Sequence, residues 1–292
     1  RVRFENGTGA TLNRVTGSAT STIQGSLVAT GSVYLINQNG IVIGEGGVIS
    51  TGGDFVASTL DPGNAAFLAG GEKVFAGVSD AFVINYGSVS SLGGDVALIA
   101  RNVVNAGRIS APAGTAALIA GREVVMRDAA LDDGRFAVRL GSPGSSVEER
   151  GIIEAAEVEL RANGGNVYAL AGNTEGSIRA TGVARSGGRV FLTGGGGGRV
   201  VVDKPVAARR GDGSGGAITV TGGTIEAGGL LDASAMAGDG GRVILWAAGA
   251  TAFNGRILAF GAGADARGGF AEVSGAAHLS FTGTVDTGGG TL

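Results

Sequence analysis

The sequence predicts an all-β protein, a right-handed parallel β-helix with a few loops or hairpins outside the helical turns. Composition is the first reason: glycine supplies 59 of the 292 residues, 43% of residues are hydrophobic and only 16% are charged. Such a chain is too apolar to be disordered, and its glycines suit short strands joined by tight corners. An internal repeat is the second reason, and the third is the position of Asn-Gly and Gly-Gly pairs between apolar runs.

The repeat is clearest where residues 87–106 align with residues 107–126 without a gap and with 8 identities in 20 positions. Two strand patterns, G-x-[IV]-x-[AST] and G-G-x-V-x-L, alternate along the chain. A unit of two or three short strands cannot bury its own apolar face, so each strand must pair in parallel with its copy in the next unit. We therefore expect stacked turns of about 20 to 28 residues with small or branched side chains inside.

The segment "SVYLINQNGIVIGEGGVIS", residues 32–50, contains one of the expected corners. Asn39-Gly40 between apolar runs is also the signal of a two-residue β-hairpin. The repeat favours a corner that leads into the next face of the same turn, where asparagine can hydrogen-bond to the nearby backbone.

Two stretches interrupt the repeat. Residues 122–161 hold 15 of the 47 charged residues, so we expect a solvated, charged excursion over residues 127–150. Residues 54–86 fit the repeat poorly and are expected to hold a hairpin on the outside of the rod. The chain then divides into a β-helical domain over residues 1–126, the excursion, and a continuing β-helical stalk over residues 151–292.

Charge and residue usage argue against several functions. The net charge of -3 argues against a nucleic-acid partner. Cysteine is absent and His278 is the one histidine, so neither a metal site nor a cofactor is expected. The aspartates are scattered, and the tight pair Asp132-Asp133 lies in the charged excursion, so no catalytic residue is predicted.

An enzyme or binder acting on extracellular polysaccharide is nevertheless the alternative function, because some enzymes of this kind share the parallel β-helix. Three or more carboxylates in one groove beside a basic residue would favour it.

Arg210-Gly211-Asp212 is the integrin-binding tripeptide and falls in an expected exposed loop. It is a candidate for cell attachment, although chance readily produces the tripeptide in a chain rich in these residues.

Three motifs follow one another in the N-terminal part: Leu12–Gly17 (LNRVTG), Asn37–Ile41 (NQNGI) and Ala57–Thr59 (AST). In this order they resemble the haemagglutination-activity, or two-partner secretion, domain of filamentous-haemagglutinin-type exoproteins. Similarity runs through about residue 126, and residues 240–275 resemble the stalk that follows this domain in large exoproteins. Gln38 stands where the family has proline. The family's capping segment is missing before Arg1, so we expect an N-terminally truncated chain.

The resemblance implies a secreted or cell-surface structural and adhesive exoprotein, exported through the bacterial periplasm. The implied partner is an outer-membrane β-barrel transporter with polypeptide-transport-associated domains, which recognises the unfolded chain. A receptor or glycan on a host or neighbouring cell, and lateral self-association of the rods, are further expected partners.

The secretion-signal candidates on this resemblance are Asn13, Arg14, Asn37, Gln38, Asn39, Gly40 and Ile41. The alternative is that these residues only cap corners and stack. Both interpretations remain open, and both can hold together.

Overall fold

The computed structural model describes residues 1–171, 176–182 and 187–290. Regular structure in this part is almost entirely β-strand. In chain order the elements are β1 (Val2–Phe4), β2 (Ala10–Arg14), β3 (Ser21–Ile23), β4 (Ser26–Ala29), β5 (Ser32–Ile36), β6 (Ile41–Ile43), β7 (Val48–Thr51), β8 (Phe55–Ser58), α1 (Asn64–Ala69), β9 (Lys73–Ala76), β10 (Phe82–Asn85), β11 (Ser88–Ser91), β12 (Val96–Ala100), β13 (Asn102–Asn105), β14 (Arg108–Ala120), β15 (Glu123–Leu131), β16 (Gly134–Leu140), β17 (Ser146–Glu149), β18 (Ile152–Ala162), β19 (Asn166–Ala169), β20 (Ile178–Thr181), β21 (Arg189–Val202), β22 (Val206–Arg209), β23 (Ala217–Ala227), β24 (Leu230–Asp232), β25 (Arg242–Phe253), β26 (Arg256–Leu258), β27 (Phe270–Gly275), β28 (His278–Phe281) and β29 (Thr284–Asp286).

The strands form three parallel ladders that run the length of the molecule. The first ladder joins β1, β4, β7, β11, β14, β18, β20, β22, β24, β26 and β29. The second joins β2, β5, β8, β12, β14, β18, β21, β23, β25 and β27. The third joins β3, β6, β10, β13, β17, β19, β21, β23, β25 and β28. Each turn therefore adds a strand segment to every ladder, which confirms the predicted parallel β-helix.

The pairing register reproduces the sequence repeat. Val89 pairs with Ile109 in the first ladder and Leu98 pairs with Leu118 in the second. The side chains at these positions are fully buried in one continuous apolar core. Burying a side chain of this kind contributes about 1.5–3 kcal/mol, so stacked Val, Ile and Leu residues supply the main stabilisation of each turn.

The segment around Asn39-Gly40 is a corner and not a hairpin. The preceding strand β5 pairs with β2 and β8, whereas the following strand β6 pairs with β3 and β10. The two strands therefore lie on different faces of one turn, as the repeat predicted.

An additional antiparallel sheet, in the order β16-β15-β9, lies outside the second ladder. Both insertions that build it leave the corner between the second and third ladders, one after β8 and one after β14. The apolar residues between the two layers form a second buried cluster: Tyr34, Ile36, Val56, Leu60, Phe75, Ala97, Ile99, Ala117, Ile119, Val124, Met126 and Phe136. None of the described helical residues belongs to a segment that could span a membrane as a helix.

The excursion differs in extent from the expected residues 127–150. It comprises the hairpin β15–β16, Glu123 to Leu140, whereas Ser146–Glu149 is strand β17 of the third ladder. The hairpin is not simply solvated, because Met126 and Phe136 are buried against the second ladder. Asp128, Asp132 and Asp133 are exposed, whereas Arg135 is partly buried and faces the helix.

The insertion after β8 differs from the hairpin expected over residues 54–86. It contains the short helix α1 and one strand, β9, which pairs with β15, and an isolated antiparallel bridge joins Asp61 to Ala76. The flanking strands Phe55–Ser58 and Phe82–Asn85 belong to the β-helix.

Candidate functional site

The seven secretion-signal candidates lie in the first two turns at the corner between the second and third ladders. Asn13 and Arg14 end β2, Asn37 to Gly40 connect β5 to β6, and Ile41 begins β6. The parallel register brings these segments together, because Arg14 pairs with Ile36 and Ser21 pairs with Ile41. We call this surface the N-terminal corner.

Asn37 points into the corner and is 1% exposed. Its Nδ2 donates to the carbonyl oxygen of Ala19 at 3.0 Å and to Oγ of Ser21 at 2.8 Å. Its Oδ1 accepts the backbone N–H of Asn39 at 2.9 Å. The amide thus satisfies backbone groups in two consecutive turns, which explains why asparagine suits this position.

Asn39 is exposed but also links the turns. Its Nδ2 donates to the carbonyl oxygen of Gly17 at 2.7 Å, and its own carbonyl accepts the hydroxyl of Thr20 at 2.8 Å. Gly40 has a φ of 103°, and a Cβ there would lie 3.3 Å from the carbonyl oxygen of Phe82. The left-handed conformation favours glycine strongly, and the close approach leaves little room for a Cβ.

The remaining candidates divide into inward and outward residues. Ile41 is fully buried in the core, and half-buried Asn13 contacts the Thr11 and Tyr34 carbonyls at 3.4 and 3.5 Å. Both therefore shape the turn. Gln38 and Arg14 are exposed and face outward.

The first insertion closes over the N-terminal corner. Nε and Nη2 of Arg14 donate to the two carboxylate oxygens of Asp61 at 2.5 and 2.7 Å, and Nη1 donates to Oδ1 of Asn64 at 2.6 Å. The Arg14 hydrogen bond holds the pKa of Asp61 below its ordinary value. Ser79 Oγ donates to the Gln38 carbonyl at 2.6 Å.

Sequence reasoning missed Asp61, Asn64 and Ser79. They lie in an insertion outside the repeat, so no periodic pattern marked them. Asp61 and the corner border a cleft of about 460 Å³, lined by Arg14, Val15, Thr16, Gly17, Ser18, Ile36, Gln38, Asn39 and Asp61. The cleft offers hydrogen-bonding groups and no arrangement suited to acid–base catalysis.

A second cleft, of about 390 Å³, contains the carboxylates that bear on the enzyme alternative. Asp54, Asp95 and Glu157 line it with Arg135 and Arg189. Each carboxylate already has partners: Asp54 accepts the Tyr34 hydroxyl, Asp95 pairs with Arg135 at 2.7 Å, and Glu157 pairs with Arg189 at 3.0 Å.

Three carboxylates beside two arginines are the arrangement that would favour the enzyme alternative, but the ion pairs engage these charges and attach the outer hairpin to the helix. Arg135 belongs to β16, so its pair with Asp95 joins the two layers. Burial raises the pKa of Asp95 and of Glu157, and the paired arginines oppose this. Glu157 Oε1 and Arg189 Nε are buried without another partner, but they belong to one ion pair. Among the described residues no group of three or more His, Cys, Asp or Glu side chains could hold a metal ion.

The structure places Arg210-Gly211-Asp212 at the tip of an exposed loop after β22. The Arg210 N–H donates to the Ser214 carbonyl at 3.0 Å, and the Ser214 hydroxyl donates to Asp212 at 2.6 Å. These bonds define a tight turn that leaves the tripeptide accessible. Its attachment role stays a prediction.

Comparison with known proteins identifies the family of this chain. Residues 1–202 match the family model of the TPS secretion domain, so the match extends past residue 126. The Heme/hemopexin-binding protein of Haemophilus influenzae is 34% identical over 196 residues, 62% of this chain but 21% of that protein. The chain thus spans about a fifth of that relative's length.

A solved structure agrees over the whole chain. The crystal structure of the HMW1 secretion domain from Haemophilus influenzae has a TM-score of 0.76 and 25% identity, covering 100% of this chain and 88% of that one. The fold, the corner motifs and the family match lead to one assignment: this chain belongs to the TPS secretion domain family and is part of a two-partner secretion exoprotein.

Proposed function

We propose that residues 12–70 carry the signal that the outer-membrane transporter reads, and that Arg14, Gln38 and Asn39 supply the recognised side chains. The observation that supports the proposal is that packing and buried hydrogen bonds of the folded corner account for the inward residues but not for the outward ones. A transporter that reads the unfolded chain could therefore use the outward residues without loss of the core. The side-chain amide of Asn37 makes its hydrogen bonds inside the corner, whereas Arg14, Gln38 and Asn39 are exposed around the same cleft.

The other candidates act on export through the fold. Asn13, Asn37, Gly40 and Ile41 set the path of the first turns. The transporter reads the chain before it folds, and the corner closes after export. Because each turn stacks on its neighbour, folded first turns can template later ones outside the cell and oppose backward movement.

The test compares export of Asn39→Ala and Asn163→Ala in cells that contain the transporter. Asn163 is an exposed asparagine at the same corner in a later turn. We expect Asn39→Ala to accumulate in the periplasm and Asn163→Ala to be exported normally, while both purified chains show wild-type circular dichroism. Normal export of Asn39→Ala would leave only its structural role.

We propose in addition that the exported protein lies at the cell surface and contacts a receptor or glycan of a host or neighbouring cell. The accessible Arg210-Gly211-Asp212 tip supports an attachment role. If cells attach through the tripeptide, Asp212→Glu abolishes adhesion of integrin-bearing cells to the immobilised chain, and unchanged adhesion rejects this attachment role.

We propose further that the rods associate laterally. Sedimentation over a range of concentrations tests this: a sedimentation coefficient that rises with concentration supports association, and a constant one rejects it. We assign no catalytic role to the described residues.

A further inference from the structure

A row of polar side chains lies inside the otherwise apolar β-helix. Asn85, Asn105, Glu149 and Lys204 are all fully buried, with 0% exposure. Nδ2 of Asn85 donates to Oδ1 of Asn105 at 2.7 Å, and Nδ2 of Asn105 donates to Oε2 of Glu149 at 2.7 Å. Nζ of Lys204 donates to Oε1 of Glu149 at 3.0 Å. The four side chains form one continuous hydrogen-bonded row.

The last link of the row skips a turn. Asn85, Asn105 and Glu149 occupy equivalent positions in consecutive turns of the third ladder. Glu149 then pairs with Ala169, and Ala169 pairs with Val202. Lys204 therefore follows the strand two turns beyond Glu149, and its side chain reaches back across the turn between them.

The intervening turn leaves room for this side chain. A Cβ at Gly176 would lie 3.1 Å from Nζ of Lys204. The ammonium group also donates to the carbonyl oxygen of Gly151 at 2.8 Å. The Lys204 side chain thus bonds to the turn that contains Glu149 and Gly151, more than 50 residues earlier in the sequence.

Glu149 depends on this lysine because a buried carboxylate without a cation is costly. Burial raises the pKa of Glu149 to about 7, and Lys204 opposes the rise more than Asn105 does. The neighbouring charged residues do not neutralise the Glu149 carboxylate, because Glu148 and Arg150 face outward and pair with each other at 2.6 Å. Within the described part of the chain, Lys204 is the cation bonded to Glu149.

We propose that Lys204 is a folding latch: the turns that bury Glu149 reach full stability only when Lys204 has packed, two turns later. The TPS family match ends at residue 202, so the latch residue lies just beyond it. For a chain that folds from its N-terminus as it emerges, the latch makes the stability of the turns around Glu149 depend on chain that emerges two turns later. The inference is independent of which residues the transporter reads.

The wild-type chain offers a direct test because its two lysines are Lys73 and Lys204. During refolding of the full chain, pulses of an amine-acetylating reagent and of deuterium are analysed by mass spectrometry. We expect the amides of β17 and β19 to gain full protection only together with protection of Lys204. Full amide protection while Lys204 is still labelled would overturn the proposal, as would native-state labelling of Lys204 as fast as Lys73.

Full-chain variants give a second test. Lys204→Met leaves the Glu149 carboxylate buried without a cation, so we expect roughly 100-fold faster exchange of the β17 and β19 amides. In the double variant, Glu149→Gln removes the buried negative charge, and we expect the β17 and β19 amides to exchange at least tenfold more slowly than in Lys204→Met alone. The control Lys73→Met should leave the exchange of these amides unchanged. If Lys204→Met fails to fold and the double variant folds, the latch is supported. Equal behaviour of the single and double variants, folded or not, would contradict it.

Discussion

The side-chain carbonyl of Asn37 accepts the backbone N–H of Asn39 at 2.9 Å, while the Asn39 amide reaches down to the Gly17 carbonyl at 2.7 Å. The two asparagines, separated by one residue, therefore have different structural roles. Asn37 is buried and holds the corner together, whereas Asn39 lies at its surface. The NQNG motif therefore contributes one buried and one exposed asparagine to the same corner.

Asn37→Ala should destabilise the first turns more than Asn39→Ala. The first variant removes four hydrogen bonds of a buried side chain, at a cost of about 2 kcal/mol, and the second costs about 1 kcal/mol or less. Hydrogen exchange of the β5 and β6 amides measures both. Equal protection in the two variants would contradict the assignment of Asn37 as the inward residue.

Gly40→Ala should loosen the same corner through backbone strain. The φ of 103° and the 3.3 Å approach to the Phe82 carbonyl predict a loss of about 1–3 kcal/mol. Gly25→Ala is the matched control, because its Cβ meets nothing within 4 Å. Local exchange in β6 and β10 is the measurement, and indistinguishable effects of the two alanines would reject the strain argument.

Phe136→Ala should detach the outer hairpin from the second ladder. Phe136 is fully buried between the layers, whereas Leu140 in the same strand is 55% exposed. Removing the ring should cost about 3–5 kcal/mol, while Leu140→Ala should change stability by less than about 0.5 kcal/mol. Limited proteolysis checks this prediction: Phe136→Ala should be cleaved within residues 121–145 much faster than Leu140→Ala. Equal cleavage would mean that the hairpin is a solvated excursion after all.

Glu149→Gln should weaken the pH dependence of the free energy of unfolding between pH 4.5 and about 7. The pKa of Glu149 rises from 4.5 in the unfolded chain to about 7 in the folded chain, so the folded state binds its proton more tightly. Its contribution to stability is fully present below pH 4.5 and is lost as the pH rises to about 7. Unfolding in urea at pH 5 and pH 8 measures the slope. The exposed Glu45→Gln control should keep the wild-type slope, and a retained slope in Glu149→Gln would refute the prediction.

Much of the fold follows from local patterns in the sequence. The twenty-residue offset that aligns Gly87 with Gly107 also pairs Ser88 with Arg108. Repeated glycines and alternating apolar residues are local signals, and a β-helix converts them directly into neighbouring turns. The N-terminal corner was predictable for the same reason, since its motif is contiguous.

Contacts between distant segments could not be predicted in this way. Strand β15 pairs with β9, which lies in a separate insertion, and no local pattern in the sequence indicates this pairing. The many charged residues in and around the hairpin predicted a solvated segment, although some of its apolar side chains are buried. The Arg14–Asp61 pair and the Lys204–Glu149 pair each join segments with no shared motif. Such pairs depend on how many residues each insertion adds between turns, which composition and periodicity do not specify.

The most direct measurement is the amount of protein outside cells that carry or lack the outer-membrane transporter. It compares the wild-type chain with the triple variant Arg14→Ala, Gln38→Ala and Asn39→Ala. We expect the wild-type chain outside only when the transporter is present, and the triple variant inside in both cases although it folds after purification. Export without the transporter, or normal export of the triple variant, would contradict the account.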